Sequence, residues 1–220
     1  VWGSVVLTVI GAAIVARFIP SAAIVKLDFL SRSHQTWIPL ATLIIGALVG
    51  LIDDLLVIRP SGGGLRLRYR LLIVVALSSF IGWWFWDPSK LNVTAVNIPF
   101  AHPLEIGWLI IPLFILVSLA VYASGVIDGI DGLSGGVFAS IFASYSIIAF
   151  AQNQIGLASF CASVVGGLLA FLWFNIPPAR FYMSDTGTMA LTLTLAVTAF
   201  MTDNLGGGVG ISVLPIIGAL

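Results

Sequence analysis

Acidic side chains are scarce in this 220-residue chain, and most of them are grouped. Of the nine Asp and Glu residues, five form three groups: Asp53 with Asp54, Asp128 with Asp131, and Asp185. Carboxylates that lie close together repel each other unless a cation neutralises them. Mg²⁺ is the simplest such cation, because it prefers carboxylate oxygens together with water and substrate phosphates. A single aspartate is better explained as a helix cap, but five converging carboxylates favour a metal site.

Glycines accompany two of the acidic groups, in the stretches 128–136 and 185–188. Because glycine has no side chain, the backbone N–H groups of such stretches can approach a ligand closely. Both stretches precede apolar segments, and the N-terminus of a helix favours anions. Carboxylates for a metal ion beside helix N-termini for phosphate oxygens form the electrostatic layout of phosphoryl transfer. The lysine loop of P-loop enzymes is absent from the sequence.

The composition identifies the environment in which these residues must work. Hydrophobic residues make up 60% of the chain and charged residues 8%, against about 25% charged in an ordinary soluble domain. This excludes a water-soluble single domain and a disordered chain. Nine Lys and Arg residues and one cysteine exclude a nucleic-acid-binding surface and a disulfide scaffold. A polytopic membrane protein remains.

The apolar runs predict how many helices cross the membrane. A spanning helix needs about 20 mostly apolar residues, and its backbone must be satisfied internally. We therefore predict an all-α fold, a polytopic transmembrane helical bundle with about seven complete spans and a truncated eighth. The predicted spans are residues 1–19, 37–52, 70–86, 106–125, 133–151, 155–175 and 186–201, with the eighth starting near 209. The chain is interpreted as one transmembrane catalytic domain, residues 1–220, truncated at both ends.

Span order predicts that all three acidic groups reach one side of the membrane. The second, fourth and sixth spans run in the same direction, and an acidic group follows each of them. Four arginines surround the turn after the first pair: Arg59, Arg66, Arg68 and Arg70. Clustered arginines mark the cytoplasmic side. His34 and His102 fall on the opposite side and have no metal-ligand spacing.

Two smaller patterns carry structural predictions. Gly46 with Gly50, and Gly132 with Gly136, are small residues four apart, a spacing that suits close contact between membrane helices. The segment 87–105 contains alternating apolar residues, which predicts a short strand or hairpin.

Three stretches of the sequence resemble motifs of the polyprenyl-phosphate N-acetylhexosamine-1-phosphate transferases, glycosyltransferase family 4. Residues 50–54 resemble the paired-aspartate motif, and 128–133 resemble a second, highly specific motif. The third stretch runs from 171–175 through 182–188. The likeness covers nearly the whole chain and leans towards the muramoyl branch of the family.

The resemblance implies a reaction, its cofactor and its partners. A polyprenyl phosphate, undecaprenyl phosphate in bacteria, attacks the β-phosphate of a UDP-amino sugar with Mg²⁺ as cofactor, and UMP is released. In the muramoyl branch the transferred group is phospho-N-acetylmuramoyl-pentapeptide, and the product is a lipid intermediate of peptidoglycan synthesis. The site would face the cytoplasm from a multi-pass protein of the bacterial cytoplasmic membrane. The oligomeric state stays open, a homodimer included.

The resemblance also implies roles for individual residues. Catalytic roles fall to Asp53, Asp54 and Asp128, where the first two bind the lipid phosphate or take its proton. Metal binding falls to Asp185, assisted by Asp128. Substrate contacts fall to a further set: Gly129, Asp131, Arg70, Asn175 and Tyr182. Among these, Tyr182 would stack on uracil, and Arg70 would contact phosphate or anchor the membrane interface.

Departures from the family pattern keep alternatives open. The chain has Gly125 where the family usually has Asn, Ser184 where it has Gly, and Arg70 where it commonly has Lys. Gly125 either shifts a metal or phosphate contact to Asp128 or indicates an inactive homologue. Within the class, the alternative is a UDP-N-acetylglucosamine-1-phosphate transferase. The alternative from another class is a cation- or proton-coupled transporter, which would place its acids near mid-span.

Overall fold

The computed structural model of the chain describes residues 34–58, 64–89, 91, 95–96, 104–124 and 132–205. Its helices are α1 (His34–Ile58), α2 (Leu67–Trp86), α3 (Ile110–Ser124), α4 (Leu133–Ala151), α5 (Ile155–Asn175) and α6 (Asp185–Leu205). A 3₁₀ turn, Gly107–Leu109, leads into α3. The predicted spans at 1–19 and from 209 lie outside the described residues.

Most of the described helices are suited to a membrane. Four are long and apolar enough to cross one: Thr36–Ile58, Leu67–Trp86, Leu133–Ala151 and Ile155–Asn175. A shorter apolar helix covers Gly107–Ala123. The predicted spans 133–151 and 155–175 coincide with α4 and α5. The chain is a polytopic helical membrane protein, as its composition predicts.

Helix α6 is the central helix of the described bundle. It packs against α1, α3 and α4, while α4 packs on α5 and α2 on α3. Every residue from 188 to 202 is buried. Threonine hydroxyls within this stretch donate to the carbonyl oxygen four residues earlier, for example Thr192 to Thr188 at 2.8 Å and Thr194 to Ala190 at 2.6 Å. These bonds satisfy the threonine hydroxyls within the helix itself.

The end of α6 remote from Asp185 is held by aromatic packing. The ring of Phe114 meets those of Phe85 and Phe200 edge-on, with centroids 5.3 and 4.9 Å apart. The predicted hairpin is confirmed by two antiparallel strands, β1 (Ala95–Val96) and β2 (Leu104–Glu105). Apart from this two-residue ladder and the 3₁₀ turn, the described secondary structure is α-helical, as predicted.

Candidate functional site

The described acidic motifs lie at one end of the bundle, near the C-terminal end of α1 and at the N-terminal end of α6. Helices α1 and α6 run antiparallel, because Gly46 faces Ala190 whereas Gly50 faces Thr186. The C-terminal end of α1 therefore meets the N-terminal end of α6. The start of α4 joins the end of α5 through a hydrogen bond from Gly132 to Asn175.

Two glycines permit the close approach of α1 to α6. A Cβ atom on Gly46 would stand 2.9 Å from Ala190 Cα, and one on Gly50 would stand 2.5 Å from Thr186 Cα. Real Cβ contacts are not that short, so only glycine fits at either position. The predicted packing role of this pair is confirmed. Asp53 and Asp54 follow Gly50 by one helical turn, so the same contact delivers them to the start of α6.

The prediction for the second glycine pair is wrong. A Cβ on Gly136 would meet nothing within 4 Å, and one on Gly132 would only reach Asn175 O at 4.0 Å. The tight contact belongs to Gly135, where a Cβ would stand 2.9 Å from Leu172 Cδ2. The spacing of four fails here because Gly132 precedes α4 with a φ of +78°, so it serves the turn rather than the helix face.

Asp53 is the most deeply placed acid of the site. Its side chain has no exposed surface, and Oδ1 accepts a hydrogen bond from the Leu65 N–H at 2.7 Å. Oδ2 lies 2.6 Å from Arg70 Nε. This second contact is an ion pair without a hydrogen bond, because Nε–H donates to Leu65 O at 3.1 Å and Oδ2 receives no donor. The guanidinium balances the buried charge.

Arg70 joins Asp53 to Asp185. Its Nη1 lies 2.9 Å from Asp185 Oδ2, so one guanidinium holds carboxylates from α1 and α6 at once. Exposure rises across the triad, from 0% for Asp53 to 23% for Arg70 and 34% for Asp185. Asp185 is therefore the member that a solute can reach most readily.

Asp54 closes the N-terminus of α6. Its Oδ2 accepts a hydrogen bond from the Thr186 N–H at 3.1 Å and another from the Thr186 hydroxyl. The first N–H groups of a helix have no partner within the helix, and a negative charge at that position also interacts favourably with the helix dipole. A carboxylate of α1 thus supplies the cap that α6 needs.

The remaining predicted residues of the described chain, Asn175 and Tyr182, lie at the end of α5 and on the segment that leads to α6. Asn175 is 2% exposed and is hydrogen-bonded to the backbones of Gly132 and Phe181, at 2.9 Å each. Tyr182 follows and is 60% exposed. Asp185 ends the segment at the start of α6.

The structure thus brings together Asp53, Asp54, Arg70 and Asp185. The predicted residues Asp128, Gly129 and Asp131, together with Gly125, lie outside the described residues. Within the described part of the chain, no group of three or more His, Cys, Asp or Glu side chains is arranged to hold a metal ion. Two of these carboxylates pair with the Arg70 guanidinium and the third, Asp54, bonds to Thr186, so the four side chains carry a formal net charge of −2.

Sequence reasoning missed two contributors to this geometry. Thr186 donates to Asp54 through both its N–H and its hydroxyl, and a threonine directly after an acidic helix start is a signal that could have found it. The backbone of Leu65 contacts both Asp53 and Arg70. No sequence signal marks such a backbone contact, because every residue except proline offers the same N–H and C=O groups.

The same region is where the chain is similar to known proteins. The model of glycosyl transferase family 4 matches residues 36–203. The chain is 33% identical over 175 residues to a phospho-N-acetylmuramoyl-pentapeptide-transferase of Listeria monocytogenes, covering 77% of this chain and 52% of that protein. Identically named proteins match at 35% over 164 residues in Gloeothece citriformis (73% and 44% covered) and 32% over 196 residues in a Geobacillus species (87% and 60%).

The chain belongs to glycosyl transferase family 4. It spans about half the length of the curated relatives it matches.

Proposed function

We propose that the protein transfers a phospho-amino sugar from a UDP-sugar to undecaprenyl phosphate in the bacterial cytoplasmic membrane. A phosphate oxygen of the lipid attacks the β-phosphorus of the nucleotide sugar. The bond between that phosphorus and the oxygen bridging to the α-phosphate breaks, and UMP leaves with the bridging oxygen. The products are a polyprenyl-diphospho-sugar and UMP. The names of the relatives favour phospho-N-acetylmuramoyl-pentapeptide as the transferred group, and hence peptidoglycan synthesis.

One observation carries this proposal. Asp53 and Asp185, which are 132 positions apart in the sequence, meet at Arg70, and Asp54 caps the adjacent start of α6, all at one end of an apolar helical bundle. Such a site suits a reaction between a membrane lipid and a charged, water-soluble nucleotide sugar. Arg66, Arg68 and Arg70 lie at the same end, which supports a cytoplasmic orientation. A coupled transporter is less well supported, because the described acids lie at helix ends rather than at mid-span.

The donor set suits a hard divalent cation. The site offers the carboxylate oxygens of three aspartates against one arginine, so it carries a net negative charge. We assign Mg²⁺ to Asp185, the most exposed acid of the triad, together with Asp128. A bound Mg²⁺ would neutralise the charge of the diphosphate.

Arg70 and Asp53 act as a unit in this proposal. Nε and Nη1 of Arg70 are engaged by the carboxylates of Asp53 and Asp185. The two described ion pairs do not use Nη2, and the Tyr122 side chain also hydrogen-bonds to Arg70. We assign the contact with a phosphate oxygen to Nη2. Asp53 then contributes by holding the guanidinium in place, and Asp54 by fixing the start of α6.

Radiolabel transfer to undecaprenyl phosphate tests the proposal. Membranes containing the complete protein are supplied separately with UDP-MurNAc-pentapeptide and UDP-N-acetylglucosamine, with and without Mg²⁺. We expect Mg²⁺-dependent label in the lipid and an equal amount of UMP from the muramoyl donor. Transfer from UDP-N-acetylglucosamine alone would move the protein to the other branch. Absence of transfer from either donor would overturn the proposal, and the inactive-homologue interpretation of Gly125 would take its place.

A further inference from the structure

Asn175, at the last position of α5, connects two separate segments of the site. Its Oδ1 accepts a hydrogen bond from the Gly132 N–H, and its Nδ2 donates one to Phe181 O, both at 2.9 Å. The side chain is 2% exposed. Both ends of one buried carboxamide are therefore used on backbone atoms rather than presented to solvent.

Each of the two segments leads directly to an acidic motif. Gly132 is the residue after Asp131, and its carbonyl accepts the first helical hydrogen bond of α4, from the Gly136 N–H at 3.1 Å. Phe181 lies four residues before Asp185, and its ring packs on those of Phe171 and Phe174, with centroids 5.6 Å apart in both cases. The carboxamide thus connects the chain that follows one acidic motif to the chain that precedes the other.

We propose that Asn175 is a positioning residue, which sets the spacing between the segment ending at Gly132 and the segment that delivers Asp185. This inference rests on the proposed function, because it is the transfer reaction that requires the two motifs to be in register. It replaces the substrate contact implied for Asn175 by family resemblance. A side chain that is buried and bonded at both ends has no surface to offer a nucleotide.

The role requires one acceptor and one donor on the same short side chain. Asn175→Asp retains an acceptor for the Gly132 N–H but loses the donor to Phe181 O. Asn175→Leu has a similar volume and loses both. A carboxyl group regains an O–H donor when it is protonated, so the defect of Asn175→Asp should shrink as the pH is lowered.

The test compares these two variants in the complete protein with a matched control, Asn153→Asp. Asn153 is exposed in the turn between α4 and α5, at the other end of both helices, with a φ of +60° that aspartate also tolerates. Hydrogen exchange at the Gly132 amide is resolved with overlapping peptides, and steady-state kinetics are measured for each substrate at several pH values.

We expect exchange at Gly132 to accelerate about tenfold in Asn175→Leu and to stay near wild type in Asn175→Asp and the control, since only the first loses the acceptor. Both Asn175 variants should lose at least about tenfold in kcat while KM for the UDP-sugar changes less than about threefold. For Asn175→Asp, the ratio of its kcat to that of wild type should rise as the pH falls.

A rise in KM with kcat retained, and unchanged exchange at Gly132, would overturn the inference and restore Asn175 as a substrate ligand. If Asn175→Leu does not fold, the pH-dependent ratio for Asn175→Asp decides alone, and a flat ratio contradicts the proposal. Hydrogen exchange does not depend on the reaction. If exchange at Gly132 is faster in Asn175→Leu than in wild type, but the wild-type protein transfers no sugar, the structural link stands. The proposed function, and with it the catalytic role of the link, is then overturned.

Discussion

Gly50 lies directly against the backbone of Thr186, so closely that a Cβ on the glycine would stand 2.5 Å from Thr186 Cα. This contact determines where the C-terminal end of α1 meets the N-terminal end of α6. Everything that Asp53 and Asp54 contact on α6 depends on it.

Gly50→Ala should therefore damage both stability and the site. The added methyl group forces the two helices apart, and overpacking of this kind costs about 1–3 kcal/mol. We expect a lower melting temperature in detergent and at least a tenfold loss of transfer activity. Gly166→Ala is the matched control, because Gly166 lies within α5 and a Cβ there meets nothing within 4 Å. Equal behaviour of the two variants would show that the close contact is unimportant.

Arg70→Met should be strongly destabilising, because it leaves the fully buried Asp53 without its counter-charge. Removing one partner of a buried ion pair costs about 3–5 kcal/mol, and the partial exposure of Arg70 places the expected loss at the lower end of that range. Thermal denaturation in detergent measures the effect, with Arg68→Met as an exposed control.

The double variant Asp53→Asn with Arg70→Met separates charge balance from shape. It removes both charges, so it should be more stable than Arg70→Met alone. A double variant that is merely as unstable as the sum of the single ones would argue against coupling between the two residues. Arg70→Lys keeps the charge but has one nitrogen in place of the fork, so we expect an intermediate loss of activity.

Asp185→Asn should abolish Mg²⁺-dependent release of UMP, because it removes the carboxylate that we assign to the metal. The variant also loses the ion pair with Arg70, so stability is measured alongside activity. Asp87→Asn is the control: Asp87 lies just beyond α2, at the end opposite Arg70, and accepts bonds from Ser89. Undiminished turnover in Asp185→Asn would remove the metal assignment.

Thr186→Val tests the cap that joins α6 to Asp54. It deletes the hydroxyl donor while preserving the branched shape, whereas Thr186→Ser keeps the donor. A hydrogen bond to a carboxylate contributes about 1.5–3 kcal/mol, and the partial exposure of Asp54 reduces this to about 1–2 kcal/mol. We expect the valine variant to melt at a lower temperature than the serine variant. The reverse order would mean that the threonine methyl group matters more than its hydroxyl.

Much of the fold follows from local sequence patterns. The runs 133–151 and 155–175 are bounded by turn residues, and the helices begin and end where the sequence predicts. Helix α1 extends to Ile58, beyond the predicted end at 52. The prediction stops short because the last turns of the helix carry the charged residues Asp53 and Asp54. A hydropathy pattern ends at the first charges, but these charges are satisfied by Leu65, Arg70 and Thr186.

The site is only partly predictable, because its partners come from distant parts of the chain. Span counting places Asp53 and Asp185 on one side, and the structure brings them to one guanidinium. Span counting could not show that Arg70 is held between two carboxylates. An arginine near phosphate-binding motifs has the same sequence signature whether it binds substrate or protein. The two-sided bonding of Asn175 is likewise a tertiary property.

The threonine-containing helix α6 has a consequence for how the protein is made. Its neighbours enclose it from residue 188 to 202, and its threonines make it a weaker candidate for spontaneous partition into lipid than α1 or α5. Helix α6 is synthesised after the five other described helices. Those helices can therefore be inserted in the bilayer before α6 leaves the ribosome. We expect α6 to pack into the membrane after the five other described helices have inserted. Variants that disturb α1 should then be degraded by membrane quality control before α6 has packed.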